Sequence, residues 1–409
     1  MQNKRMFVGN PPHNYSYSVI LCKQTHIHCS VKCYIIINML ESARDICYNL
    51  GMNETYFDKR DAKNIEKARQ ICSELPDFVT EFIVGIQTRT TPLTRLGYVG
   101  DIKIFFEYLI KRKFTDKKSI KDITMSDIAL LKAYDIELFM EYLGSYTSGD
   151  KRYKCSNTTK ERKLSSLRTF FKYFYRKERL PENITERVET PKIHEKPIRY
   201  LEVNEIANLL DLADGGSSLT PRQKQYQKIT RKRDVAILSV FLGTGIRISE
   251  CVGLDKKDVD LNLCAINVTR KGGAKAVLYF SDEVAKAVTE YLDWLDEQKL
   301  NETPFSKKIN DENALFLSLQ GNRITVRAVQ LLVEKYCSIV SPLKHITPHK
   351  LRSTFGTTLY RETQDIYVVA DVLGHKDINT TKKHYAAISD EIRRNAANVI
   401  KLRDTDDDK

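Results

Sequence analysis

A mainly α-helical protein with two domains, the second holding a small antiparallel sheet, is what the sequence predicts. Three observations predict it. Apolar residues recur at helical spacing from Pro76 to Arg179; a proline-bearing stretch, "LPENITERVETPKIHEKPIRYL", follows; helical patterns then resume, interrupted by two β-prone runs around "KGG". At 409 residues the chain is long enough for two cores, since a single core rarely grows past roughly 250 to 300 residues.

Taken in order, the first 38 residues are unlike the rest. The stretch "CKQTHIHCSVKC" is rich in Cys and His, and Lys, Gln and His interrupt its apolar residues too often for a signal peptide. Cys22, His26, His28, Cys29 and Cys33 are of types that ligate zinc, but such patterns often match by chance. The plainer expectation for 1–38 is a disordered or non-native leader. Residues 39–75 form a mildly periodic, polar, helical lead-in.

From 76 to 180 a small helical bundle is expected. "DFVTEFIVGI" places Phe78, Val79, Phe82 and Ile86 at helical spacing, and "YVGDIKIFFEYLIKR" repeats the pattern with Val99, Ile102, Phe105, Phe106 and Leu109. "YDIELFMEYL" and "TKERKLSSLRTFFKYFYRKERL" complete about four helices, the last capped by the polar cluster "CSNTT". That last helix carries Lys160, Arg162, Lys163, Arg168 and Lys172, a basic face expected either to lie in solvent or to contact phosphates. Pro181, Pro191 and Pro197 then mark 181–199 as a linker, and a second domain runs over 200–409. In it "LEVNEIANLLDLA" is helical, "DGGSSLTPRQKQYQKITRKRD" is a loop followed by a basic helix entry, and "DVAILSVFLGTG" is apolar enough to be a buried helix.

Charge points to the partner. Lys plus Arg number 66 against 53 Asp plus Glu, a net +13, which favours a polyanion. No long apolar span or lipidation motif favours a membrane, so nucleic acid leads. The nine cysteines are an odd number, the later ones placed singly in apolar patterns, as expected of free thiols in a reducing cytoplasm rather than of a disulfide framework.

Four stretches of the second domain carry candidate chemistry. In "GTGIRISE", Gly243 and Gly245 are expected at a turn and Arg247 at the start of the next helix, where the macrodipole disfavours a cation unless an anion is bound there or Glu250 pairs with it. "LCAINVTRKGGAKAVLYF" reads as a hairpin with Lys271 and Lys275 near its tip. In "ITPHKLRSTFGTTLY", Thr347 and Pro348 open a helix that puts His349 and Arg352 on one face. "VVADVLGHKDINTTKKHY" ends a helix near Gly374, sets His375 at the break and leads to Tyr385.

In this order, "GTGIRISE", the hairpin lysine, "TPHKLR" and "LGHKDINTT" with its following tyrosine resemble the signature boxes of the tyrosine recombinases, the phage integrase and Xer group. The resemblance covers roughly Pro76 to Ile400. It implies a SAM-like core-binding domain followed by an α+β catalytic domain. It also implies roles: Tyr385 as nucleophile on a DNA phosphodiester, Arg247 and Arg352 clamping the non-bridging oxygens, and Lys271 as general acid. His349 would be the base, His375 would hydrogen-bond the phosphate, and Glu250 would orient its neighbours. No metal, ATP or other cofactor is expected, because guanidinium and ammonium groups supply the positive charge. A covalent intermediate conserves the bond energy for rejoining.

The family further implies a homotetramer on two inverted-repeat DNA sites, its C-terminal tail, "ISDEIRRNAANVIKL", exchanged between protomers, in a cytoplasmic, nucleoid-associated setting. The lead-in does not resemble the three-stranded arm-binding module of some phage integrases, so a simpler enzyme acting on short inverted repeats is expected. Lys275 shares the hairpin with Lys271 and stays open as the general acid. Two rival readings are a type IB topoisomerase and a DNA-binding protein that has lost catalysis.

Overall fold

The computed structural model describes residues 54–148, 150–192, 198–270 and 273–374. The zinc-type residues of the leader therefore lie outside the described residues, as do Lys271, His375, Tyr385 and the C-terminal tail. The chain divides into two compact units, Met1–Lys59 and Arg60–Lys409. Of the first, only 54–59 are described; there the Thr55 amide donates to Asp58, 3.0 Å away, at the entry to helix α1, Tyr56–Cys72.

The second unit is mostly helical. Its first half contains α2 (Asp77–Gly85), α3 (Pro92–Lys111), α4 (Met125–Ala129), α5 (Ala133–Tyr142) and α6 (Asn157–Arg176). Starts are written locally: Thr91 caps α3 ahead of Pro92, Thr124 and Asp127 form a capping box for α4, and Ser156 accepts the Thr159 amide to cap α6. The apolar stripes read from the sequence meet in one core. Phe78, Phe82, Phe105, Phe106, Phe139, Phe170, Phe171 and Phe174 are all buried. Several stand edge to face, as Phe105 on Phe139 at 5.0 Å and Phe170 on Phe174 at 5.0 Å, a geometry worth about 0.5–1.5 kcal/mol per pair beyond area burial.

Two features depart from expectation here. A short hairpin, β1 (Tyr146–Ser148) with β2 (Lys151–Tyr153), interrupts the bundle, its Tyr146 and Tyr153 rings stacked at 5.4 Å. Three-residue strands are too short to show a period of two. The basic face of α6 is also only partly a face. Asp101 of α3, itself buried, accepts from Arg162 Nη2 at 2.7 Å, Lys163 Nζ at 2.8 Å and Ser166 Oγ at 2.7 Å. Lys163 is buried, its charge neutralised inside the bundle, and Arg168 donates to the Val188 carbonyl at 2.7 Å and to Thr190 at 3.0 Å. Lys172 is exposed and Lys160 partly so.

Beyond 198 the elements are α7 (Val203–Gly215), α8 (Pro221–Thr244), α9 (Ile248–Gly253), β3 (Val259–Asp260), β4 (Ala265–Thr269), β5 (Lys275–Tyr279), α10 (Asp282–Leu300), α11 (Val326–Val340), α12 (Pro348–Thr363) and α13 (Ile366–Leu373). Helix α8 is central and packs against α7, α10 and α12. Ala236, Ile237, Leu238, Val240 and Phe241 are wholly buried, as the unbroken apolar run requires. Its start corrects the sequence reading: Thr220 and Gln223 form a capping box around Pro221, so much of the segment read as loop is helix. Gly243 is likewise inside α8 rather than at the turn, and a Cβ there would collide with Val284 of α10. The glycine lets the two helices approach.

Buried polar groups lock this half. Asp234 of α8 accepts from Lys335 Nζ at 3.0 Å and Tyr336 Oη at 2.9 Å, both on α11. Burial first, then the Asp234 charge, pushes the Tyr336 phenol up, and burial pushes Tyr291 up to about 12. Glu205 of α7 holds Ser341 Oγ at 2.9 Å and also accepts from Lys344. Burial works to raise its pKa, but hydrogen bonds from Lys344, the Glu202 amide and Ser341 outweigh it and hold the carboxyl below its ordinary value. A carboxyl with a depressed folded pKa contributes stability above its unfolded pKa, about 4.3 for Glu, and loses that contribution as pH falls through the folded value. Glu205→Gln is therefore expected to flatten the fall of stability with acidification below about pH 5. Urea midpoints measured across that window check it, and an unchanged slope would count against the ion pair.

Candidate active site

The sheet, in order β3-β4-β5, is antiparallel throughout, with Val268 opposite Ala276 and Thr269 opposite Lys275. Lys275 therefore sits on a strand, exposed, while Lys271 falls in the connection outside the described residues. The Arg270 amide donates to the Ala274 carbonyl at 2.7 Å and the Gly273 amide to the Arg270 carbonyl at 3.0 Å, which closes the turn on both sides of that connection.

Gly245 ends α8 with φ of 60°, left-handed, and a Cβ there would strike Phe355 and Leu373. The tight turn delivers Arg247 to the N-cap of α9. The macrodipole conflict is resolved by Glu250, whose buried carboxylate accepts the Arg247 amide at 3.0 Å and its Nη1 at 2.8 Å, so a negative charge stands at the helix start. The ion pair considered from sequence is thus present. The other end of the same guanidinium, Nη2, faces the carbonyls of Leu373 at 3.4 Å and Gly374 at 3.2 Å.

Arg352 arrives at the same place from another element. Thr347 and Pro348 open α12, which carries His349, exposed, in its first turn and Arg352, buried, one turn later. Arg352 Nη1 donates to the Gly245 carbonyl and Nη2 to the Leu373 carbonyl. The next helix, α13, ends at Gly374 with φ of 62°. Its last carbonyls carry the negative end of the helix dipole, which suits the guanidiniums gathered on them. The sequence-predicted Arg247, Glu250 and Arg352 are therefore brought together at the end of α13, one residue before His375, with His349 on the helix that supplies Arg352. Beside His349, Lys350 has its pKa lowered by burial and, second, by Arg199.

Sequence reasoning missed Arg270. Its Nη2 donates to the Val372 carbonyl at 3.1 Å, so a third guanidinium meets the same helix end. Nothing in the spacing of "VTRKGG" marks it out, because the contact is made with a residue 102 positions away.

Comparison with known proteins bears on this geometry. Residues 199–391 match the model of the phage integrase family. The chain is 31% identical over 334 residues, 79% of its length and 86% of the relative's, to tyrosine recombinase XerC of Caldanaerobacter subterraneus subsp. tengcongensis. It is 29% identical over 368 residues, 83% of its length and 98% of the relative's, to tyrosine recombinase XerS of Lactococcus lactis subsp. cremoris. Among solved structures, XerH site-specific recombinase bound to palindromic difH substrate in a post-cleavage complex aligns with TM-score 0.53 at 21% identity, over 72% of this chain and 76% of that one. The Tn1549 transposon integrase in complex with circular intermediate DNA aligns with TM-score 0.51 at 21% identity, over 75% and 94%. These two likenesses show the fold.

Proposed function

Because the chain belongs to the phage integrase family, the tyrosine recombinases, we propose that it cuts and rejoins DNA through a 3′-phosphotyrosine intermediate on Tyr385. It is a site-specific DNA recombinase, and the finer mechanism rests on one observation: Arg247 and Arg352, from different helices, point their guanidiniums at the same main-chain oxygen, that of Leu373. Two forked cations converging on oxygen acceptors are the arrangement a phosphate needs, and phosphate oxygens are stronger acceptors than carbonyls.

In the proposed reaction the Tyr385 phenol loses its proton, with His349 as base, and its oxygen bonds to the scissile phosphorus. The bond from phosphorus to the 5′-oxygen breaks, and that oxygen takes a proton from Lys271. Arg247 and Arg352 hold the non-bridging oxygens as charge grows on them, and His375 hydrogen-bonds the same phosphate. Rejoining reverses these steps with a different 5′-hydroxyl. An unperturbed phenol has a pKa of about 10, so the positive pocket is what makes the attack feasible near neutrality. Lys172 and Lys160 of α6 are the better-placed phosphate contacts of the helical domain, since Lys163 is buried. Two domains gripping one duplex, four protomers on two inverted-repeat sites with exchanged tails, and a cytoplasmic setting complete the proposal. Among the described residues no helix is long and apolar enough to cross a membrane.

The test is a covalent trap. A nicked random-duplex library selects the site the protein captures, and the captured complex is resolved on a denaturing gel and digested. A DNA-linked peptide containing Tyr385, joined through a 3′-phosphate, is the expected product. Attachment at another of the 21 tyrosines, or tight binding with no trapped DNA, would sink the assignment. Exchange between two sites separates recombination from topoisomerase-like relaxation, which needs only one.

A further inference from the structure

We infer that Arg270 is a positioning residue that fixes the β4–β5 hairpin to the helix end on which Arg247 and Arg352 converge, and that it serves the reaction through Lys271, the next residue in the chain. This rests on the reading of Lys271 as general acid. Three observations carry it. Arg270 closes the hairpin turn through both its backbone groups. Its side chain crosses to the Val372 carbonyl, the residue before the acceptor shared by Arg247 and Arg352. Its guanidinium packs so closely on Gly374 that a Cβ at that position would overlap it, and its Nε is buried with no hydrogen-bond partner among the described residues.

A part-buried guanidinium whose Nε is left without a partner is costly, and a hairpin gains nothing in its own ladder by reaching so far. What the reach provides is a fixed distance between the hairpin base and the arginine pair. A general acid misplaced by about 1 Å loses on the order of 100-fold in rate, so a strut one residue away from it controls chemistry without touching the substrate.

The experiment uses the full chain and the trapped site, with single-turnover cleavage measured at saturating DNA. Two substrates are compared, an ordinary phosphodiester and one with sulfur in the 5′-bridging position. A thiol pKa of about 8.5 lets that leaving group depart unprotonated. Arg270→Ala is expected to slow cleavage of the oxygen substrate about 100-fold, leave DNA affinity within about two-fold, and recover on the sulfur substrate to within about three-fold of wild type. Arg270→Lys, which keeps a donor on the stem, should fall between.

Lys271→Ala should recover on sulfur in the same way; if it does not, the general-acid reading fails. The double variant then decides the coupling by itself. If it is no slower than Lys271→Ala alone, Arg270 acts through Lys271. Additive losses, or an Arg270→Ala defect equal on both substrates while affinity and thermal midpoint are unchanged, would overturn the proposal.

Discussion

Arg352→Lys is expected to slow formation of the covalent protein–DNA complex by roughly 10²- to 10³-fold at saturating DNA, the range seen when one preorganised donor to a developing oxyanion is lost. The physical reason lies in the fork. Arg352 reaches the Gly245 carbonyl with one terminal nitrogen and the Leu373 carbonyl with the other, and its side chain is buried between them. An ammonium is a point charge and cannot span both directions, so it either abandons the turn after α8 or leaves the helix end. The charge is retained, so DNA affinity should change by much less than the rate. Comparing single-turnover rates with equilibrium affinity separates the two effects. A lysine variant within ten-fold of wild type in rate would show that bidentate geometry is not what the reaction uses.

The second large effect is on stability. Asp101→Asn removes the charge facing Lys163 Nζ at 2.8 Å, where the two side chains are 4% and 5% exposed. A buried cation left without its partner costs about 3–5 kcal/mol. The Arg162 contact to the same carboxylate adds little, because that side chain is 53% exposed and screened by water. Circular dichroism through a urea titration measures the loss. The single tryptophan, Trp294, lies in α10 and does not report on the helical bundle. A companion variant, Asp101→Leu with Lys163→Met, replaces both charges by apolar groups and is expected to regain most of the stability. If Asp101→Asn alone costs less than about 1 kcal/mol, the pair is not the buried bridge its geometry indicates.

How much of this could be read beforehand depended on the reach of each interaction. Helices with a phenylalanine stripe, such as Asp77–Gly85, and the start written as Thr347-Pro348 were legible, because both signals sit within a few residues, whereas the same pair at Thr220-Pro221 was hidden in a polar stretch that reads as loop. Arg247 and Arg352 were legible for a different reason: their surrounding boxes carry a family pattern. The short hairpin at Tyr146 was not, since three residues per strand leave no period to detect. Nor was the burial of Lys163, whose partner is 62 positions away on a helix that reads as simply apolar. Charge on a helical face looks the same in sequence whether a carboxylate or solvent waits opposite. Arg270 was overlooked on the same ground, and its role emerged only once the turn of α13 stood beside it.

The guanidiniums of Arg247 and Arg352, and Arg270 beside them, rest on main-chain oxygens of Val372, Leu373 and Gly374 rather than on acidic side chains there. A carbonyl is present whatever amino acid occupies its position, so no exchange of side chain at these positions can erase an acceptor. Leu373 is held to an apolar side chain by its burial, but at Val372 the letter can change while the resting partner of Arg270 stays, provided the path of the chain is kept. The durable information lies in the left-handed turn at Gly374, where the amino acid does matter. Selection acting here would preserve a curve in space before it preserved a word in the sequence.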